Sequence, residues 1–212
     1  EEVGMLGSFD FVKSMNETER RNIAAVINAD MIASPNWALF IGNSSTASKK
    51  QQAVAPGFGV LENMFSKYLD SAKVSHELDD LLGGSDMMPF ASVGIPSTIL
   101  SCGAGNKKTV EQRNKYGGVA LAPFDSCYHR SCDDIKNTDE QPHFLFTKAI
   151  ANVLNQMWTD KELMNKMRPK SSVSTLKRNV VVVDDDDKFL ENNIQKLKWE
   201  KSQSIAKSSL KH

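Results

Sequence analysis

An α/β sandwich is the architecture this 212-residue sequence predicts. Apolar runs of strand length alternate along the chain with longer segments whose apolar residues recur at helical spacing. Clusters of Gly, Ser, Asn and Pro punctuate the two kinds of segment. Composition agrees, since 40% apolar and 25% charged residues suit one soluble domain with a sizeable core.

The elements follow in order. Val3 to Val12 is Gly-punctuated and becomes helical in pattern through Met15. Arg20 to Asp30 reads as a polar lead-in followed by a buried strand, Ile23 to Asp30. Trp37 to Ile41 reads as a second strand, ended by Gly42-Asn43 and a Ser/Thr loop. Pro56 opens a helix to Leu69, with Val60, Leu61, Met64, Phe65 and Leu69 on one face. Lys73 to Leu78 is a short strand candidate, and Gly83 to Asp86 a loop leading to a helical turn that ends near Val93. Gly94-Ile95-Pro96 introduces a strand, Thr98 to Leu100, and Gly103 to Asn106 a turn. Lys107 to Tyr116 reads as a short polar helix. Gln141 to Trp158 reads as a long helix with Phe144, Leu145, Ala149, Ile150, Val153, Leu154 and Met157 inward.

After Trp158 the character changes. Residues 1–158 carry 14 basic and 18 acidic side chains, and residues 159–212 carry 12 and 8, so a net −4 body meets a net +4 tail. The tail contains Val180 to Val183 followed by Asp184 to Asp187, and four like charges in a row fit a solvated segment. Lys188 to Lys201 has weak helical spacing through Leu190, Ile194 and Leu197. The division is therefore a folded unit over 1–158 and a charged, mobile appendage over 159–212.

Bulk properties exclude several functions. Net charge is zero, which gives no global reason to expect nucleic acid or a membrane surface as partner. The apolar runs are too short to span a bilayer. The chain starts without Met or a signal-like segment and reads as a piece whose upstream part is missing. Three cysteines are too few for a disulfide scaffold. Cys127 and Cys132 stand close enough for a tight loop to bridge, which would imply an oxidising compartment; two buried thiols is the other reading, and spacing leaves both open. Cys102 reads as a small buried residue rather than a nucleophile. Oligomeric state is not legible.

The chemistry-bearing residues are Glu1, Glu2, Asp30 and His129. Neighbouring side chains on an extended backbone point apart, so one of two adjacent carboxylates can bind a metal while the other handles a proton. Asp30 ends an apolar strand that would deliver it to a cleft, and His129 lies inside Cys127-Tyr128-His129-Arg130-Ser131-Cys132. Carboxylate and imidazole ligands beside an uncoordinated Glu are the parts of a zinc hydrolase. Taken singly, Glu1 and Glu2 would be a frayed terminus, Asp30 a strand-end cap and His129 a loop histidine.

A series of motifs changes that balance. Glu1-Glu2-Val-Gly-Met-Leu-Gly-Ser, Asn28-Ala-Asp30-Met31-Ile-Ala-Ser-Pro-Asn36, Gly84-Ser85-Asp86 with Pro89-Phe90, Gly94-Ile95-Pro96, Gly103-Ala-Gly105 and Cys127-Tyr-His129-Arg-Ser-Cys132-Asp133 occur in this order. Over residues 1–158 the series resembles the zinc-dependent secreted aminopeptidases of the bacterial leucyl aminopeptidase type. The resemblance implies the C-terminal part of a three-layer α/β sandwich, a mixed central sheet flanked by helices. It also implies two zinc ions in the complete domain, secretion, and peptide substrates with free N-termini. Glu1 matches the general base acting on a zinc-bound water. Glu2 and His129 match ligands of one zinc, and Asp30 a ligand of the other. Tyr128 matches the phenol that hydrogen-bonds the oxyanion. Gly84 and Met31 match substrate-binding positions, and Cys127 and Cys132 a disulfide that pins the histidine loop.

Departures from the pattern are informative. A His-x-Asp histidine and an Asp that bridges both metals normally precede the Glu-Glu pair, so two ligands have no counterpart here, and the piece alone is expected to be inactive. Met87 stands where the family usually has His, and Ser101 where relatives often carry a pocket aromatic. The rivals on the same scaffold are a glutaminyl cyclase, a related carboxypeptidase, or a non-catalytic binding protein with lost metal sites.

Overall fold

A computed structural model of the chain describes residues 4–47, 57–80 and 84–167. The readings made on Glu1, Glu2, Pro56, Gly83, Val180 to Asp187 and Lys188 to Lys201 lie outside them. The elements are α1 (Leu6–Ser14), α2 (Glu17–Asn22), β1 (Val26–Ala29), β2 (Phe40–Asn43), α3 (Gly57–Ser71), β3 (Glu77–Asp80), α4 (Met87–Ser92), β4 (Ser97–Ser101), α5 (Val110–Tyr116), α6 (Glu140–Thr159) and α7 (Lys161–Met167). Single 3₁₀ turns occupy Ser44–Thr46 and Ile135–Asn137.

The four strands form one mixed sheet in the order β1-β4-β2-β3. β1 runs parallel to β4, from Val26 opposite Ser97 to Ala29 opposite Leu100. β2 is antiparallel to β4 and parallel to β3. The carboxyl ends of β1 and β4 therefore lie together, and those of β2 and β3 at the opposite end. This is the mixed sheet with flanking helices that the sequence led us to expect.

Strand alternation sorts the core. Leu39, Ile41 and Leu100 meet Met64, Phe65 and Leu69 of α3 and Phe146, Ala149 and Val153 of α6 in one buried cluster. Ala38 and Phe40, on the other face, pack with Phe124. Phe124 belongs to a strap that runs back along the segment after β4, with Phe124 N–H on the Asn106 carbonyl and Lys108 N–H on that of Ala122.

Several expectations shift. The strand expected over Trp37 to Ile41 is Phe40–Asn43, and the one over Lys73 to Leu78 is Glu77–Asp80. The second shift has a visible cause. α3 ends with Lys73 in the left-handed region (φ 55°) and Val74 N–H returning to the Leu69 carbonyl at 2.8 Å, so a helix cap consumes residues the strand would have used. β1 is half-buried rather than buried, because among the described residues it has a ladder partner on one side only. On α6, Phe144 and Leu154 face solvent at 57% and 51% exposure, and Phe146 is the aromatic inside. Phe146, Ala149 and Val153 define the buried stripe; Phe144 stands about 200° around the helix from Phe146 at 100° per residue, with Lys148 Nζ 4.2 Å from its ring centre.

The stretch read as a tail opens with a packed helix. Asp160 Oδ1 accepts the Glu162 and Leu163 N–H groups at 2.9 and 3.0 Å, which starts α7. Leu163 packs on the main core, and Met167 is fully buried.

Candidate metal centre

Asp30 follows β1 directly and is tied to the end of β4 by its N–H, 3.1 Å from the Leu100 carbonyl. Its side chain is held by Ser85, whose buried hydroxyl donates to Asp30 Oδ2 at 2.5 Å and accepts from Asn28 Nδ2 at 2.6 Å. Asn28 also points Nδ2 at the sulfur of buried Met87, 3.6 Å away. Ser85 stands just before α4, and the following residue, Asp86, accepts from the Ser8 hydroxyl of α1 at 2.6 Å. A carboxylate is thus presented at the strand end with one oxygen occupied by a positioned hydroxyl.

Met31 follows with φ 57°, a left-handed conformation that costs a non-glycine residue about 1–2 kcal/mol. Its carbonyl accepts the Cys102 N–H at 2.8 Å, and the Ser34 hydroxyl donates to the Gly103 carbonyl at 2.6 Å. The Ala33 carbonyl accepts the Asp139 N–H at 2.8 Å, just ahead of α6. The Asp30–Ser34 loop is thereby sewn to the segment leaving β4 and to the start of α6.

The histidine loop grows from that same segment. Gly103 has φ +86°, and an added Cβ would lie 2.4 Å from the Phe124 ring. Gly105 faces Tyr128, whose Cδ1 would be 3.3 Å from an added Cβ. The Tyr128 ring lies against Gly105 and stacks on His129, with centroids 3.9 Å apart and planes 23° apart. His129 is exposed and also left-handed, φ 56°. Cys127 and Cys132 are bonded, with Cα atoms 5.3 Å apart, as the family resemblance implied. Asp30 and the Tyr128–His129 pair therefore both hang from the carboxyl end of the parallel β1–β4 pair.

Gly84, with φ +88°, lies next to Ser85. Cys102 is the free cysteine, fully buried, with its thiol pushed up to about 12, chiefly by burial and further by the charge of Asp139. That is an inert packing thiol, in line with the sequence reading. Ser85 and Asp125, which organise the two halves of this region, were not singled out as functional from the sequence; each is a buried polar residue beside a ligand candidate, a property only coordinates reveal.

In kind, an oriented carboxylate and an imidazole on a covalently closed loop are donors that zinc accepts. In number they do not complete a site: among the described residues no three His, Cys, Asp or Glu side chains gather to hold an ion. Glu2, the remaining ligand candidate, and Glu1 lie outside those residues.

Comparison with known proteins gives a consistent result. The model of peptidase family M28 matches residues 1–154. A probable leucine aminopeptidase 2 of Aspergillus oryzae is 34% identical over 173 residues, which is 82% of this chain and 35% of that protein. An aminopeptidase of Pseudomonas aeruginosa is 35% identical over 153 residues, 72% of this chain and 28% of that protein. The chain thus spans about a third of the length of these relatives. A zinc aminopeptidase from Bacillus subtilis has a similar fold, with a TM-score of 0.50 at 18% identity over 72% of this chain and 32% of that one.

Proposed function

The chain belongs to peptidase family M28, and on that premise we propose that it forms part of the catalytic domain of a secreted, zinc-dependent aminopeptidase. The substrates are peptides with a free N-terminus. Asp30 would hold one zinc ion and Glu2 with His129 a second. When bound, the ions supply Lewis-acid polarisation of the peptide carbonyl and a stronger nucleophile at neutral pH. Glu1, the sequence neighbour of Glu2, takes the proton of the attacking water and passes it to the departing amine. Tyr128 donates its hydroxyl hydrogen where negative charge develops on the former carbonyl oxygen. Gly84 and Met31 line the place of the N-terminal residue.

The observation that carries this reading is the anchoring of Asp30, through Ser85, and of Tyr128, against Gly105 with His129 stacked on it, at one end of the sheet. The bonded cysteines also support an oxidising compartment. By itself the 212-residue chain is expected to be inactive, since only Glu2, Asp30 and His129 are assigned to hold two ions.

The test is release of an N-terminal amino acid from a chromogenic aminoacyl substrate by the full-length protein, with zinc and after chelation. Glu1→Ala should keep its zinc and lose at least roughly 10²-fold in turnover, the scale of a lost general base. His129→Ala should lose zinc and activity together. Loss of zinc from Glu1→Ala would reverse the roles of the pair. Ring closure of N-terminal glutamine with no release of amino acids would select the cyclase instead.

A further inference from the structure

Asp125 is a buried carboxylate, 4% exposed, and has neither a catalytic nor a metal-binding role in the proposed reaction. Its backbone N–H bonds the Ala104 carbonyl at 2.8 Å, fixing it to the segment that leaves β4. Its Oδ1 accepts two hydrogen bonds. One comes from the Cys127 N–H at 2.8 Å and one from Asn137 Nδ2, also at 2.8 Å. Asn137 closes the 3₁₀ turn just ahead of α6. A single carboxylate oxygen therefore joins the start of the histidine loop to its end, and everything between, Tyr128, His129 and the disulfide included, lies inside the tie.

The disulfide and this tie do different work. Cys127–Cys132 closes the loop on itself and leaves its position on the body undetermined. Asp125 belongs to the body through Ala104 and holds the loop at the residue that precedes Tyr128. Fixing the Cys127 N–H sets the direction in which the chain enters Tyr128, and so sets the ring over Gly105 and against His129. His129 has φ 56° in an exposed loop, a conformation that persists only where its surroundings over-determine it. Both bonds fall on one buried acceptor oxygen, and burial makes it costly to leave either of them unmade.

We propose that Asp125, with Asn137, is the positioning residue of the Tyr128–His129 pair, a non-covalent tie around the disulfide that places both side chains relative to Asp30. The proposal rests on the aminopeptidase reading for its catalytic consequence, while its structural half can be tested without it.

The experiment compares Asp125→Ala, Asp125→Asn and Asn137→Ala in the full-length protein. It reads amide hydrogen exchange over residues 126–134 together with kcat and KM. Asp125→Ala should exchange at least about tenfold faster in that loop and lose about 10- to 100-fold in kcat, the usual cost of removing a group that orients a metal ligand, with KM within about threefold. Exchange in α3 and α6 should stay unchanged, which separates loop release from unfolding. Asp125→Asn keeps the accepting oxygen and should remain within about threefold of the parent in both readouts. Should Asp125→Ala fail to fold, Asn137→Ala removes one of the two bonds and should show the same loop-limited change at smaller amplitude. Loop exchange and kcat within about twofold of the parent for the folded variants would overturn the proposal. So would Asp125→Asn proving as impaired as Asp125→Ala. If the parent protein has no aminopeptidase activity, the exchange comparison still decides the tie, and only the catalytic reading is lost.

Discussion

Ser85→Ala is a sharp perturbation of the carboxylate side of the centre. The hydroxyl is buried and makes two bonds, to Asp30 Oδ2 at 2.5 Å and from Asn28 Nδ2 at 2.6 Å. Alanine removes both without adding bulk. The lost bond to the ionised carboxylate is worth about 1.5–3 kcal/mol in the folded state. Asn28 Nδ2 is then left facing the weak sulfur acceptor of Met87. A fall in stability of about 1–3 kcal/mol is expected from denaturant unfolding. Zinc binding is a separate readout: a less ordered Asp30 should weaken it by about 10- to 100-fold, as for other groups that orient metal ligands. The assay is zinc affinity of the full-length protein by chelator competition, beside an unfolding curve. Ser85→Thr retains the hydroxyl and should recover most of the affinity if the site tolerates the methyl group. A folded Ser85→Ala protein with zinc affinity within about twofold of the parent would refute the idea that this hydroxyl orients a ligand.

On α6, Phe146→Ala should cost about 3–5 kcal/mol of stability because its side chain is fully buried, whereas Phe144→Ala should change stability by less than about 0.5 kcal/mol; equal effects would mean that the helix is rotated. Gly103→Ala should destabilise by more than about 2 kcal/mol in chemical unfolding, since its Cβ would meet the Phe124 ring at 2.4 Å and its φ of +86° is unfavourable to alanine. The folded Cys102 thiol titrates at about 12 against an ordinary value of 9.0. A raised pKa means that its contribution is complete below pH 9 and is lost as pH rises from 9 towards 12, by up to about 1.4 kcal/mol for each pH unit in that window. The slope of stability against pH there should therefore flatten in Cys102→Ala, whatever the variant's stability at neutral pH; an unchanged slope would show that other groups dominate alkaline unfolding.

Alternation of strands and helices could be read directly from the chain, because periodicity reports which face of an element is buried. Leu61, Met64, Phe65 and Leu69 fall on the inner face of α3 for that reason. Asp30 and His129 could be singled out as candidates because they sit in ordered motifs whose residue types carry recognisable chemistry. Periodicity could not choose between Phe144 and Phe146, since apolar residues occur around much of α6 and the packed neighbours decide which stripe is covered. Nor could it foresee that Lys73 and Val74 would serve the end of α3, a matter of backbone conformation at one residue. The support of the centre, by contrast, exists only in three dimensions. Ser85 reaches Asp30 across 55 residues of sequence, and Asp125 ties Cys127 to Asn137. Ser85 lies in one of the ordered motifs, but its bond to Asp30 could not be read there, and nothing local marks Asp125. Their roles arise because parallel pairing of β1 with β4 brings two loops to one end of a sheet. There, burial makes an unpartnered polar group costly, and Ser85 and Asp125 supply partners.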